Sequence, residues 1–219
     1  MTHVYFEQQA IKVNNIYCIG RNYVEHIAEL HNETPSEPVV FLKPNNSLLN
    51  QGGIINLPAY SQSVHYECEL VLLIGQDAYG DTPDEITSMI AAYGVGLDLT
   101  ARDVQSQLKA KGLPWTKAKG FRGAACVSDF VAASALSNPQ DCTFSLHING
   151  VLRQQGQTSH MIYPLAAILQ ELATSYGLKA GDVVFTGTPA GVGELYAGDV
   201  LQLDLAQLVQ AQFTVAARA

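Results

Sequence analysis

The run His65-Tyr66-Glu67-Cys68-Glu69-Leu70-Val71-Leu72-Leu73-Ile74 constrains this chain more than any other stretch. Glu67 and Glu69 stand two residues apart, directly ahead of a strongly apolar segment. Side chains of a strand alternate faces, so the spacing predicts that both acids point the same way. Two carboxylates on the rim of an apolar core repel each other and resist desolvation. A divalent cation removes that cost, and oxygen-only ligands favour Mg²⁺, Mn²⁺ or Ca²⁺ over softer metals. Asp98, at a predicted strand end just before a helix start, is a third candidate ligand. The same E-x-E spacing also fits a solvated sheet face. His65 shares that face, as a ligand or as an ordinary hydrogen-bonding histidine.

The remaining pattern is that of a β-rich α+β chain without regular βα alternation. Strands are expected at residues 16–20, 39–42, 64–74, 93–99, 182–186, 200–205 and 212–216. Residues 144–148 and 151–155 flank Asn149-Gly150, a strong hairpin signal. Helices are expected at 22–31, at 82–92 with Thr82 as N-cap and Pro83 at the first position, and at 102–111 behind a capping box in Thr100-Ala101-Arg102-Asp103. A further helix opens at Tyr163-Pro164, with Leu165, Ile168, Leu169, Leu172 and Tyr176 on one stripe and Gly177 as its stop. Residues 32–38, with two prolines, read as a loop.

At 219 residues the chain suits one large domain or two small ones. A formal net charge of -8 argues against a nucleic-acid partner and supplies no basic patch for a membrane surface. An anionic substrate stays compatible, because a local cation reverses the field inside a cleft. No apolar run reaches membrane-span length, and the first residues lack the basic-then-apolar order of a signal peptide. The four cysteines are scattered without CxxC spacing. They read as reduced thiols of a cytoplasmic protein rather than as a zinc site.

Three further constellations can carry chemistry. His26 and Glu29 lie at i and i+3 of a predicted helix, where a carboxylate orients an imidazole and raises its basicity, as a general base requires. An exposed helix with an incidental pair fits the same spacing. Arg102, Gln105, Lys117 and Lys119 surround the helix after Asp98 and can hold a carboxylate or an oxyanion. Lys117 reads as solvated, whereas Lys119, between Ala118 and Gly120-Phe121, reads as buried. Gly187-Thr188-Pro189-Ala190-Gly191-Val192-Gly193 fits neither a P-loop nor a dinucleotide fingerprint. It is either a rigid ligand-facing loop presenting Thr188 or a cluster of tight turns.

In their joint order these pieces resemble the fumarylacetoacetate hydrolase family, in its short single-domain branch of acylpyruvate hydrolase and oxaloacetate decarboxylase-like proteins. The resemblance rests on G-R-N-Y-x-x-H-x-x-E from Gly20 to Glu29, F-L-K-P at Phe41 and H-x-E-x-E-L at His65. It continues with L-D-x-T-A-R-D-V-Q ending at Gln105, G-L-P-W-T-x-A-K ending at Lys119 and G-T-P-x-G-V-G at Gly187. It implies one catalytic domain over residues 1–219, with 1–15 as a lead-in, folded as that family's mixed β-sandwich roll and paired as a homodimer. It implies Mg²⁺ or Mn²⁺ on Glu67, Glu69 and Asp98, with Ca²⁺ able to take the place in crystals. His26 and Glu29 become a catalytic dyad on a lid segment, and Lys119 a catalytic cation. Arg21, Tyr23, Arg102, Gln105 and Thr188 become substrate contacts.

The activity so implied is hydrolytic C–C cleavage of an acylpyruvate, such as fumarylpyruvate or acetylpyruvate, to pyruvate and a carboxylic acid. The same electrophilic site also serves oxaloacetate keto–enol tautomerisation or decarboxylation. Isomerisation or decarboxylation of a 2-hydroxyhepta-2,4-diene-1,7-dioate from aromatic breakdown is another alternative. A non-enzymatic metal- or ligand-binding module is the remaining one.

Overall fold

The computed structural model describes residues 2–29, 35–80 and 86–217. Its frame is a mixed sheet whose central strands are mostly apolar, with Glu69 and Asp98 as the acidic exceptions in the central pair. In order across the sheet these are Val39–Lys43, Ile16–Gly20, Val183–Phe185, Cys68–Ile74, Ile90–Asp98, Ala125–Val127 and Leu48–Asn50, and Val131–Ala132 pairs with Ile90–Asp98 off this path. The central pair is antiparallel, with Cys68 opposite Leu97 and Glu69 opposite Gly96.

Strand alternation sends side chains into two cores. Tyr17, Ile19, Leu70, Leu72 and Val95 face the larger one. Ile16, Cys18, Val71 and Leu73 face the smaller. Over the larger core lies a five-stranded sheet of Val151–Gln157, Thr143–Ile148, Val200–Leu205, Val209–Val215 and Ile54–Ile55, which contributes Phe144, Leu146, Leu203 and Phe213. The helix Leu165–Ser175 packs there through Leu165, Ile168, Leu169 and Leu172. Over the smaller core sits a hairpin of His3–Phe6 and Gln9–Lys12 that brings Val4, Phe6 and Ile11, so the expected lead-in is an ordered cover. Each fully buried aliphatic side chain of this kind stabilises the fold by roughly 1.5–3 kcal/mol.

The β-rich architecture agrees with the sequence pattern, and so do several local signals. Asn149 and Gly150 take φ of 53° and 78° between Ile148 and its partner Val151. Positive φ at both positions is what a two-residue hairpin turn requires. All four cysteines are free and buried. No helix among the described residues is long and apolar enough to cross a membrane.

Four expectations need correction. Residues 64–74 are two strands, Val64–Tyr66 and Cys68–Ile74, with Glu67 at the break. The antiparallel neighbour breaks beside it at Leu99, and Val64–Tyr66, Thr100–Ala101 and Gly193–Glu194 form a separate small sheet. Within the expected helix 82–92, the described part is a 3-10 turn, Ile86–Met89, followed by strand from Ile90, because Ile90 and Ala92 pair with Ile74 and Leu73. Thr82 and Pro83 lie outside the described residues, as do Leu30 to Thr34, which include part of the expected loop and the end of the first helix.

The capping box does not form. Thr100 is a strand residue paired with His65, so Ala101 takes the N-cap position of the helix Arg102–Ala110. Asp103 instead accepts from the Ser61 hydroxyl (2.6 Å) and the Gln62 N–H (2.9 Å). Tyr176 ends the long helix at 50 % exposure, outside the buried stripe, and its ring lies 5.8 Å from that of Tyr17.

Candidate active site

The strand break builds the site. Glu67 sits where the chain changes sheets, and its carbonyl accepts the Asp98 N–H at 2.8 Å. Asp98 ends the neighbouring strand, and Glu69 follows one residue into the central strand. The three carboxylates each place an oxygen within 4.8 Å of the others. All three are at most 5 % exposed.

Such a cluster is unfavourable unless cations meet it. Lys119 Nζ lies 2.6 Å from Glu67 Oε2 and 2.6 Å from Asp98 Oδ2. Arg102 pairs with Glu67 Oε1 and donates Nη1 to Gln105 Oε1 at 2.7 Å. Behind Asp98, the fully buried Lys43 reaches its Oδ1 at 2.6 Å and also donates to the carbonyls of Leu99 and Lys119. Burial alone would raise the Glu67 carboxyl, but Lys119 and Arg102 hold it below the usual carboxylate range. Burial would likewise lower the Lys119 ammonium, but Asp98 and Glu67 keep it above the usual lysine range.

Glu69 is the exception. Its contact is the Gly187 N–H, 2.7 Å from Oε2, and among the described residues it carries no ion pair. Burial, then the charges of Asp98 and Glu67, push its carboxyl well above the usual range. Three hard oxygens, one of them lacking a cation of its own, fit a divalent ion of the magnesium or manganese kind.

The short helix Val24–Glu29 brings the imidazole to this cluster. Its root is fixed by Asn22, fully buried, whose Nδ2 donates to the carbonyls of Thr186 (2.9 Å) and Tyr163 (3.1 Å) and whose Oδ1 accepts the Tyr163 N–H (2.8 Å). His26 Nδ1 lies 3.3 Å from Glu29 Oε2, and Glu29 also accepts the Gly191 N–H. With Nδ1 so engaged, Nε2 is the nitrogen left for chemistry.

One cleft gathers most of the expected residues. Arg21, His26, Glu67, Glu69, Asp98, Arg102, Gln105, Lys119 and Thr188 all line it. Thr188 already donates to the Cys68 carbonyl (2.8 Å) and accepts from Gln154 (2.9 Å). Tyr23 is not brought to this lining: its ring is buried in the larger core, and among the described residues its hydroxyl has no hydrogen-bond partner. Lys117 stays at the surface, over the Tyr60 ring. His65 bonds Ser63 at 3.0 Å and is not among the grouped ligands.

Sequence reasoning assigned no role to Lys43, Asn22, Phe41, Trp115 or Lys109. The first four fall inside the motifs quoted above. Lys109 carries no local signal beyond its helical register with Arg102 and Gln105.

A β-rich sandwich that sets a buried oxygen-donor triad beneath a His–Glu pair defines a class: proteins equipped to hold a hard divalent ion beside a base. Residues 15–216 match the family described as Fumarylacetoacetate (FAA) hydrolase C-terminal, and the chain belongs to that family. It is 44 % identical over 190 residues to "Oxaloacetate tautomerase YcgM" of Escherichia coli (strain K12), spanning 86 % of this chain and 87 % of that one. It is 39 % identical over 201 residues to "Oxaloacetate tautomerase FAHD1, mitochondrial" of Bos taurus, spanning 92 % and 91 %. A crystal structure of fumarylpyruvate hydrolase from Pseudomonas aeruginosa, in complex with Mn²⁺ and pyruvate, superposes with a TM-score of 0.92 at 30 % identity, spanning 99 % of this chain and 97 % of that one. The chain is thus a family enzyme of small oxo acids.

Proposed function

We propose that this protein is an Mg²⁺- or Mn²⁺-dependent oxaloacetate keto–enol tautomerase. One observation carries the reading: a single cleft is lined at once by the carboxylate triad, by His26 and by four cationic side chains, Arg21, Arg102, Lys109 and Lys119. With a divalent ion added, the cleft is positive inside a protein of net charge -8, which suits a small dianion. The relatives named as oxaloacetate tautomerases support this substrate over an acylpyruvate.

Glu67, Glu69 and Asp98 would hold the ion. When bound, it supplies Lewis-acid stabilisation of negative charge on the 2-oxo oxygen. The protein's own groups do the rest. His26 Nε2 takes the C3 proton, the C–H electron pair forms the C2–C3 double bond, and the carbonyl pair moves onto the C2 oxygen. Glu29 holds the imidazole and steadies the charge it gains. Gln105, whose Oε1 is turned to Arg102, has its amide N–H₂ left to steady the substrate. Return of a proton to the C2 oxygen completes the enol, and no carbon is lost.

Acylpyruvate hydrolysis stays as a second reading, favoured by the Mn²⁺–pyruvate complex of the Pseudomonas enzyme. There the His26–Glu29 pair would deprotonate water instead of carbon. The magnesium-loaded protein should be given keto-oxaloacetate, enol-oxaloacetate and fumarylpyruvate separately. The proposal expects fast keto–enol exchange without carbon dioxide release and little cleavage of fumarylpyruvate. Efficient cleavage with exchange no faster than in buffer would install the hydrolase instead.

A further inference from the structure

We propose that Gln154 is a positioning residue for the His26–Glu29 pair: it seats the loop 187–191 so that the Gly191 N–H meets Glu29. No motif quoted above contains Gln154, and it reaches the site from the five-stranded sheet. The kinetic consequence rests on the base role given above to His26; the seating of Glu29 does not.

A strand irregularity aims the side chain. Leu146 pairs with Gln154 but His147 pairs with Leu152, so Arg153 is an extra residue on its strand. A bulge of this kind bends the strand and redirects its side chains. Residues 151–153 are exposed, and Gln154 then turns inward to 2 % exposure. An amide buried to that degree costs stability unless its polar atoms are bonded. Oε1 accepts the Cys68 N–H at 2.9 Å, and Nε2 donates to Thr188 Oγ1 (2.9 Å) and to the Pro189 carbonyl (3.0 Å). One side chain thus ties two successive loop residues to the strand that carries the acids.

Those partners lie at the centre of the site. Cys68 stands between Glu67 and Glu69, and its carbonyl accepts the Thr188 hydroxyl at 2.8 Å. The two ends of the loop each hold one acid: the Gly187 N–H donates to Glu69 at 2.7 Å, and the Gly191 N–H donates to Glu29 at 3.2 Å. The two holds differ in their support. Gly187 follows Thr186, whose N–H and hydroxyl both bond the Leu70 carbonyl of the central strand. Gly191 instead rests against the strand of Gln154. It takes φ of 97°, and a Cβ there would lie 2.5 Å from the Arg153 carbonyl oxygen and 3.4 Å from Gln154 Cγ. Only glycine fits so close an approach in that conformation. Without the Gln154 tie, Glu69 keeps its N–H, whereas Glu29 loses the fixed seat from which it holds His26 Nδ1.

Gln154→Met keeps the length of the side chain and removes its hydrogen bonds. In the magnesium-loaded protein, amide hydrogen exchange followed by NMR should quicken about ten-fold at Gly191 and stay unchanged at Gly187. The kcat of keto–enol exchange should fall about ten-fold, as when a supporting contact behind a site residue is lost. Affinity for Mn²⁺ should change by less than about two-fold. So should affinity for pyruvate, read from the fluorescence of Trp115, the chain's single tryptophan and part of the cleft lining. Retained binding also shows that the variant is folded. In a Glu29→Ala background, Gln154→Met should lower kcat no further. Gln157→Met, on the same strand but bonded to Asp141, should leave every readout as in the native protein. Unchanged amide exchange at Gly191 or an unchanged kcat overturns the proposal. Parallel loss of Mn²⁺ and pyruvate binding, or a kcat loss additive with Glu29→Ala, overturns it too, since both mark a general structural defect. If the native protein did not speed keto–enol exchange, the proposed activity would fail, and the Gly191 amide alone would decide whether Gln154 seats Glu29.

Discussion

Lys43 shows how a single side chain can hold a site together without facing substrate. Its ammonium is completely buried and closes the circuit behind Asp98. Removing one partner of such a pair leaves an uncompensated buried charge. Lys43→Met should therefore cost about 3–5 kcal/mol of stability, read as a lower urea midpoint at unchanged slope. Glu69 behaves oppositely. Its carboxyl is raised in the folded state, so the metal-free native protein binds more protons there than the unfolded chain does. Its contribution to stability is full below the ordinary carboxylate range and falls as pH rises above it. The lowered Glu67 carboxyl acts in a separate window, losing stability only as pH drops below that range. Thermal unfolding of metal-free protein should thus show Glu69→Gln stabilising at neutral pH and close to neutral in effect near pH 4. Added magnesium should raise the native melting temperature and not that of the variant. For His26→Ala, turnover should fall by about 10²–10⁴, the usual contribution of a positioned base, while pyruvate binding at Trp115 is retained. Lys119 was legible as buried because its neighbours are apolar. Lys43 was not, because a lone lysine before proline carries no sign of the aspartate that will meet it from a distant strand.

Secondary structure was legible where the signal is local. Asn149-Gly150 dictates its own turn, and the stripe Leu165, Ile168, Leu169, Leu172 dictates its own buried face. It was not legible where a neighbour decides. The break at Glu67 exists because two adjacent strands leave the large sheet together, a fact of pairing that no single run encodes. Ile86 to Ala92 kept enough apolar residues to read as helix, yet Ile74 and Leu73 claim Ile90 and Ala92 as strand partners. The hairpin over the smaller core, with Glu7 and Gln8 at φ of 49° and 63°, lacks the glycine that would have announced it. Gly96 gives this level of structure a test. A Cβ there would lie 2.5 Å from the Cys126 carbonyl oxygen and 2.9 Å from atoms of both Phe185 and Val71. Gly96→Ala should cost about 1–3 kcal/mol through overpacking. Because Asp98 is the next residue on the same face, the variant should also bind Mg²⁺ more weakly than it loses stability, seen by titration at a temperature where it remains folded.

Taken as one object, the protein converts an acidic chain into a cationic cleft. Lys43, Arg102 and Lys119 converge from three separate elements on the acidic triad. The β-rich class and the identity of the triad were readable from residue order. What they looked like in space was not, since the convergence depends on two sheets parting at one corner. Everything proposed about activity requires Glu67, Glu69 and Asp98 to grip one divalent ion. The decisive measurement is anomalous diffraction at the manganese edge from crystals soaked in Mn²⁺ and pyruvate. The account predicts one strong peak ligated by all three carboxylates, with pyruvate on its open side and His26 facing it. A cleft without a peak, or manganese held by other residues, would contradict it.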